Sequence, residues 1–159
     1  MITAYRIFKA AHANGWNDGE GAFRFGGRWN TKGTRVLYAA ASLALSALEM
    51  LVHLEDEEIL AEYRYAAVTF PEDSVVNIED LFRLPAGWNE YPASAAVQEI
   101  GDRWVRDGAS LVLRVPTAVV PHEFNYIFNL GHPDASAIEY GKVERFAFDP
   151  GFGRKRGKK

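Results

Sequence analysis

Cysteine is missing from all 159 residues, which excludes a disulfide framework and leaves the fold to rest on a hydrophobic core. A chain of this length buries about two thirds of its unfolded surface, so 48% hydrophobic residues against 25% charged suffice for one self-sufficient domain. Long apolar runs are missing too, and none approaches the roughly 18 residues of a membrane span. The opening Met-Ile-Thr-Ala-Tyr-Arg-Ile-Phe has neither the basic n-region nor the apolar h-region of a secretory leader. The composition therefore predicts a soluble protein of a reducing, cytoplasmic compartment, with no membrane contact. Internal repeats and low-complexity linkers are absent, as is the Gly-x-Ser-x-Gly elbow of a Ser/His/Glu hydrolase.

Acid is what the last six positions lack. The net charge is −3, but five of the 18 basic residues stand at 154–159, so residues 1–153 hold 13 basic against 21 acidic side chains, a net −8. So acidic a body argues against a nucleic-acid groove, whose affinity comes from neutralising phosphates. The domain is expected to span 1–153, with 154–159 as a basic, solvated and disordered tail.

Hydrophobic periods place strands at 2–8, 36–40, 61–70, 75–78, 110–115, 124–130 and 138–148, and helices at 42–54 and 92–107. Ser42 is placed to cap the first helix, the acidic run 55–58 closes it, and Gly108 stops the second. Residues 10–35, with six glycines, read as a long loop of the functional kind. This mixture predicts an α+β fold, a single compact domain with an irregular mixed sheet.

Within that loop, Gly26-Gly27-Arg28-Trp29-Asn30-Thr31 sets an arginine and a tryptophan behind paired glycines. Glycine tolerates positive φ and the close approach of a partner, and the rigid fork of a guanidinium suits phosphate or carboxylate. The same letters also describe a Gly-Gly turn with a salt-bridged arginine and a packed tryptophan. On helix 42–54, Ser42, Ser46, Glu49 and His53 fall within about 60° of one another, while leucines and alanines cover most of the remaining circumference. This helix is expected to be mostly buried, and its polar stripe faces either solvent or a polar cleft; only a cleft gives Glu49 a special role. A metal held by Glu49 and His53 would need His12, His122 or His132, which stand at no recognisable ligand spacing, so no metal site is expected. Asn125 and Asn129 share one strand face with Ile127, either toward a ligand or as turn caps at the strand ends. His132, before Pro133 and Asp134, reads as a turn device.

Taken in order, Tyr5-Arg6-Ile7, Gly26-Gly27-Arg28-Trp29-Asn30, Val36-Leu37-Tyr38-Ala39, Ala47-Leu48-Glu49-Met50-Leu51-Val52-His53, Val115-Pro116-Thr117-Ala118-Val119-Val120-Pro121, Asn125-Tyr126, Asn129, His132-Pro133-Asp134 and Phe148-Asp149-Pro150 resemble the RES-domain family of bacterial toxins over nearly the whole chain. The resemblance implies a fold similar to ADP-ribosyltransferase toxins, NAD+ as substrate with no bound cofactor, and a helix-turn-helix antitoxin as partner in a type II toxin-antitoxin pair. The family's arginine matches Arg28, its glutamate Glu49, and the tyrosine of the strand between them Tyr38. Its serine position holds Thr117, which keeps the hydroxyl and adds a methyl, and Gly151 stands where the family often carries arginine. The match implies catalytic roles for Arg28, Tyr38, Glu49 and Thr117, and NAD+ contacts for Arg28, Tyr38, Asn125 and Asn129.

Breaking the nicotinamide–ribose bond fits a site with a single carboxylate. The leaving group is already a cationic pyridinium and departs neutral, so it needs no acid, unlike the alkoxide of an ordinary glycoside. Glu49 would orient the ribose hydroxyls and stabilise the growing positive charge, Arg28 would hold the pyrophosphate, Tyr38 would flank the nicotinamide or ribose, and Thr117 would place a hydroxyl near the phosphate or acceptor. Water, inorganic phosphate or a protein side chain can each take the ADP-ribosyl group. The alternative of a different class is a NAD-binding or partner-binding module of the same fold, catalytically weakened or inactive through Thr117.

Overall fold

In the computed structural model, which describes residues 1–154, the strands are β1 (Ile2–Lys9), β2 (Val36–Ala40), β3 (Tyr63–Phe70), β4 (Val75–Asn77), β5 (Val112–Pro116), β6 (Phe124–Asn129), β7 (Glu139–Tyr140) and β8 (Glu144–Phe146). They form one mixed sheet in the order β4-β5-β6-β2-β1-β3-β7, with β8 also pairing β3 and only β4 and β5 running parallel. The helices are α1 (Glu20–Phe25), α2 (Leu43–His53), α3 (Ile78–Leu81), α4 (Ala95–Asp107) and α5 (Gly151–Arg154). The expected α+β fold with a mixed sheet is what forms. Of the basic tail, residues 155–159 lie outside the described residues.

β1 and β3 pair along their whole length, from Ile2↔Phe70 to Lys9↔Tyr63. β1 and β2, by contrast, meet at a single register pair, Tyr5↔Ala40. Side chains fill the seam that remains. The Ser46 hydroxyl of α2 accepts from the Ile7 amide at 3.1 Å, and Arg6 Nη1 donates to the Tyr38 carbonyl at 3.0 Å. Each bond satisfies a backbone group that the missing pairing would leave unmet, at a cost of about 1–3 kcal/mol apiece when buried.

Alternation along the strands divides the core. Ala4, Leu37, Ala39, Val68, Phe70, Tyr126 and Phe128 fill one face of the sheet. The other face carries both long helices: Val36, Leu113, Val115 and Ile127 pack against Val97 and Trp104 of α4, and Ile7 and Tyr63 against Leu51 of α2. The Tyr5↔Ala40 pairing puts the odd residues of β1 and the even residues of β2 on that same face, so α2 and α4 lie side by side over it.

Helix starts follow side-chain caps. Ser42 accepts from the Leu45 amide at 3.0 Å, as its position predicts. The second long helix begins at Ala95 rather than 92, because Ser94 supplies the cap to Val97, and it ends at Gly108 in the left-handed region (φ 59°). Three expectations need correction. Residues 10–35 are not all loop: α1 is a six-residue helix bounded by Gly19 and Gly26, both at positive φ, too short to show an apolar period. The strand 138–148 is broken into β7 and β8, with the Gly141 amide bonded to the Ala67 carbonyl between them. α2 is only half-buried, because Ala44, Leu48 and Val52, four residues apart, form an exposed apolar stripe at 41% and 59% exposure for the last two. Among the described residues no helix is long and apolar enough to cross a membrane.

Candidate active site

The hairpin β5–β6 brings two donors to one carboxylate. Thr117 follows β5 and Asn125 lies just inside β6; because Val115 pairs with Asn125, all three odd positions share the face on which α2 lies. The Thr117 amide bonds the Glu123 carbonyl at 3.0 Å and closes the neck of the intervening loop. From α2, Glu49 reaches into this corner. Its Oε1 accepts from Asn125 Nδ2 at 2.8 Å and from the Thr117 hydroxyl in a short hydrogen bond. The same hydroxyl accepts from the Val119 amide at 3.1 Å, which fixes its proton toward Glu49. Among the described residues nothing donates to Glu49 Oε2. The buried Oδ1 of Asn125 is likewise without a partner.

A second cluster is built around the glycine turn. The Tyr38 hydroxyl, rising from β2, donates to Asn30 Oδ1 at 2.6 Å and accepts from the Trp29 amide at 3.1 Å. Burial pushes this phenol far above its ordinary range, the Trp29 amide pulling it partly back, so it stays a neutral donor. Asn30 is fully buried, and its Nδ2 donates to the carbonyls of Ala22, Thr31 and Thr34. Gly27 faces Tyr38 so closely that a Cβ would sit 2.8 Å from the phenolic oxygen, which accounts for a glycine there. From α4, Gln98 Nε2 donates to the Gly27 carbonyl at 3.0 Å, and Asp102 accepts from both the amide and the hydroxyl of Thr31.

Arg28 projects from this turn to a third segment. Its Nη1 donates to the carbonyls of Trp88 and Glu90 at 2.9 and 2.8 Å, while Trp29 stacks on Trp88. No carboxylate among the described residues pairs with this guanidinium. The segment continues to Tyr91, whose ring lies 5.5 Å from that of His53, one turn beyond Glu49 on α2.

The structure thus brings Glu49, Thr117 and Asn125 together, and joins Arg28 to the same wall through residues 88–91. It places Thr117 on Glu49, where a phosphate or acceptor contact was expected, and the Tyr38 hydroxyl beneath the glycine turn. Asn129 shares Asn125's face as its spacing predicts, but it stands about 13 Å farther along β6. There its amide bonds Val105 and Gly131, so it is a turn fixture apart from Glu49. His132 Nδ1 accepts from the Asp134 amide, the turn device its neighbours suggest. Among the described residues no cluster of three His, Cys, Asp or Glu side chains is close enough to hold a metal ion. Sequence reasoning gave Asn30 no role of its own and missed Gln98, Asp102 and Trp88. For Gln98 and Asp102 a signal exists: two polar residues four apart flank Gly101 on the buried side of an amphipathic helix.

A sequence model of the RES domain matches residues 3–149. The chain is 37% identical over 125 residues to a protein named Toxin Res from Photorhabdus laumondii, covering 79% of this chain and 80% of that one. It is 35% identical over 139 residues to the Prs ADP-ribosylating toxin of a Sphingobium species, covering 86% of each. In fold it superposes with a TM-score of 0.71, at 17% identity, on a chain of the crystal structure of the M. tuberculosis MbcT-MbcA toxin-antitoxin complex, covering 97% of this chain and 87% of that one. With the domain pattern running through nearly its full length and relatives of this similarity named as toxins, the chain belongs to the RES domain family.

Proposed function

We propose that this protein is the toxin of a type II toxin-antitoxin pair and consumes NAD+ by breaking its nicotinamide–ribose bond. The observation that carries the reading is the asymmetric hold on Glu49, with two donors on Oε1 and, among the described residues, none on Oε2. A carboxylate fixed by one oxygen presents the other as a preorganised acceptor, the form of electrostatic stabilisation that contributes most to catalysis. Oε2 accepts a ribose hydroxyl and faces the positive charge that grows as the bond lengthens. The electron pair of the broken C–N bond stays on the ring nitrogen, nicotinamide leaves neutral, and the acceptor's oxygen or nitrogen forms the new bond to the ribose carbon as its proton passes to solvent. Arg28, without a carboxylate partner among the described residues, keeps its charge for the pyrophosphate while anchoring residues 88–91. Thr117 takes over the family serine's hydroxyl and holds Glu49 with it.

The test is nicotinamide release from NAD+ by purified protein, with and without inorganic phosphate and with candidate protein acceptors. Release in buffer alone identifies hydrolysis, phosphate dependence identifies phosphorolysis, and labelled protein identifies ADP-ribosyl transfer. Glu49→Gln lowers turnover about 100- to 1000-fold, by analogy with loss of one oxyanion-hole donor. No release under any acceptor condition from folded protein overturns the enzymatic reading. The partner is a helix-turn-helix antitoxin, and co-expression of such a protein from the adjacent gene relieves growth arrest. The toxin body itself makes no direct nucleic-acid contact, and it works in the cytoplasm, where the dinucleotide is.

A further inference from the structure

Tyr91 is 79% exposed, yet the residues around it are fixed. Arg28 Nη1 clamps the carbonyls of Trp88 and Glu90 just before it, Trp88 stacks on Trp29, and the Tyr91 ring rests at 5.5 Å against His53. One side of the phenol is thus occupied by an imidazole and the rest is open. Other aromatics of the candidate site are already engaged, Trp29 with Trp88 and the Tyr38 hydroxyl with Asn30. An aromatic face left bare on an anchored segment is free to stack with another ring.

Position and chemistry narrow what that ring is. His53 follows Glu49 by four residues on the same stripe of α2, a rise of about 6 Å. If Glu49 orients the ribose, the base bonded directly to that ribose is the ring of the dinucleotide nearer this turn of α2, whereas the adenine lies beyond two phosphates and a second ribose. The base in question carries a full positive charge before cleavage and none after it. An electron-rich phenol face attracts such a cation and loses that attraction when the ring becomes neutral.

Resting on the NAD+ reading above, we propose that Tyr91 is the stacking platform for the pyridinium ring, a specificity-determining residue that favours the oxidised dinucleotide over the reduced one and eases departure of neutral nicotinamide. The experiment measures dissociation constants for NAD+ and NADH by calorimetry, in Glu49→Gln protein to suppress turnover. The same background then carries Tyr91→Phe or Tyr91→Leu. With the side chain mostly in solvent, both changes leave the melting temperature in place. Tyr91→Leu is expected to weaken NAD+ binding about 3- to 30-fold, the range of cation–π contacts, and to leave NADH binding nearly unchanged, while Tyr91→Phe keeps the preference. Equal weakening of both dinucleotides, or no change in NAD+ affinity, overturns the proposal while wild-type turnover leaves the NAD+ reading standing. Absence of both binding and turnover in the unsubstituted protein overturns the two together.

Discussion

Gly101 of α4 lies so close to the main chain of Trp29 that a Cβ built on it would stand 1.6 Å from the Trp29 carbonyl oxygen. The helix backbone is therefore the rear support of the turn that carries Arg28, and its neighbours Gln98 and Asp102 bond that turn on either side. Support of this kind is rigid, since it leaves no room for a side chain to adjust.

Gly101→Ala must push α4 and the glycine turn apart. Overpacking of a buried contact costs about 1–3 kcal/mol, which for a chain of this size lowers the melting temperature by roughly 2–12 °C. NAD+ turnover falls as well, although residue 101 touches no substrate. Calorimetric melting alongside nicotinamide release checks both, and unchanged turnover in a destabilised variant would separate the turn from catalysis.

Thr117 tests the hold on Glu49. Thr117→Ser keeps the hydroxyl and retains activity. Thr117→Val keeps the shape and removes a hydrogen bond to a charged group, worth about 1.5–3 kcal/mol, so kcat falls roughly 10- to 150-fold. A Val variant as active as the parent, beside an impaired Ser variant, would make the residue a packing element.

Tyr38→Phe leaves the Trp29 amide and the buried Asn30 oxygen without a partner. The expected loss is about 1–3 kcal/mol of stability, seen as a lower melting temperature together with lower activity. Full stability with lost turnover would instead give the phenol a direct part in the chemistry.

Glu20 ties α1 to the chain that follows it, accepting from Arg24 at 2.6 Å and Arg35 at 3.0 Å. These bonds, Arg24's first, hold its carboxyl below the usual range. A depressed folded value means that the stabilisation is present above the unfolded value of about 4.3 and is lost as pH falls through the folded one. Exposure keeps the effect small. Glu20→Gln therefore lowers the melting temperature near pH 7 and has no such effect near pH 2; equal losses at both would point to packing instead.

The strands and α2 are legible in the sequence because each rests on a local rule. β2 is a short apolar run between turns, and Ser42 is a cap whose partner lies three residues away. The family pattern singles out Arg28, Glu49 and Thr117 as candidates. What stays hidden depends on contacts far apart in sequence. Nothing near Thr117 says that its hydroxyl points at residue 49, and nothing near Tyr38 says that its own is taken by Asn30. The apolar stripe Ala44, Leu48, Val52 looks like core because periodicity counts hydrophobic faces without telling which of them is covered. Asn129 shows the converse: sharing a strand face with Asn125 does not mean sharing a site when four residues separate them.

The seam between β1 and β2 gives the sheet two cooperative units with one bridge across them. Thr117 and Asn125 stand on the β2–β6–β5 side, while Glu49 rides on α2, which is fastened to β1 through Ser46. The Glu49 clamp is therefore a cross-link between units whose shared backbone ladder is a single residue pair, and their amides are expected to exchange with deuterium at separate rates. On the proposed reading, a dinucleotide held by Arg28 on one side and Glu49 on the other would rivet the seam, so that β1 and β2 become protected together, as one unit.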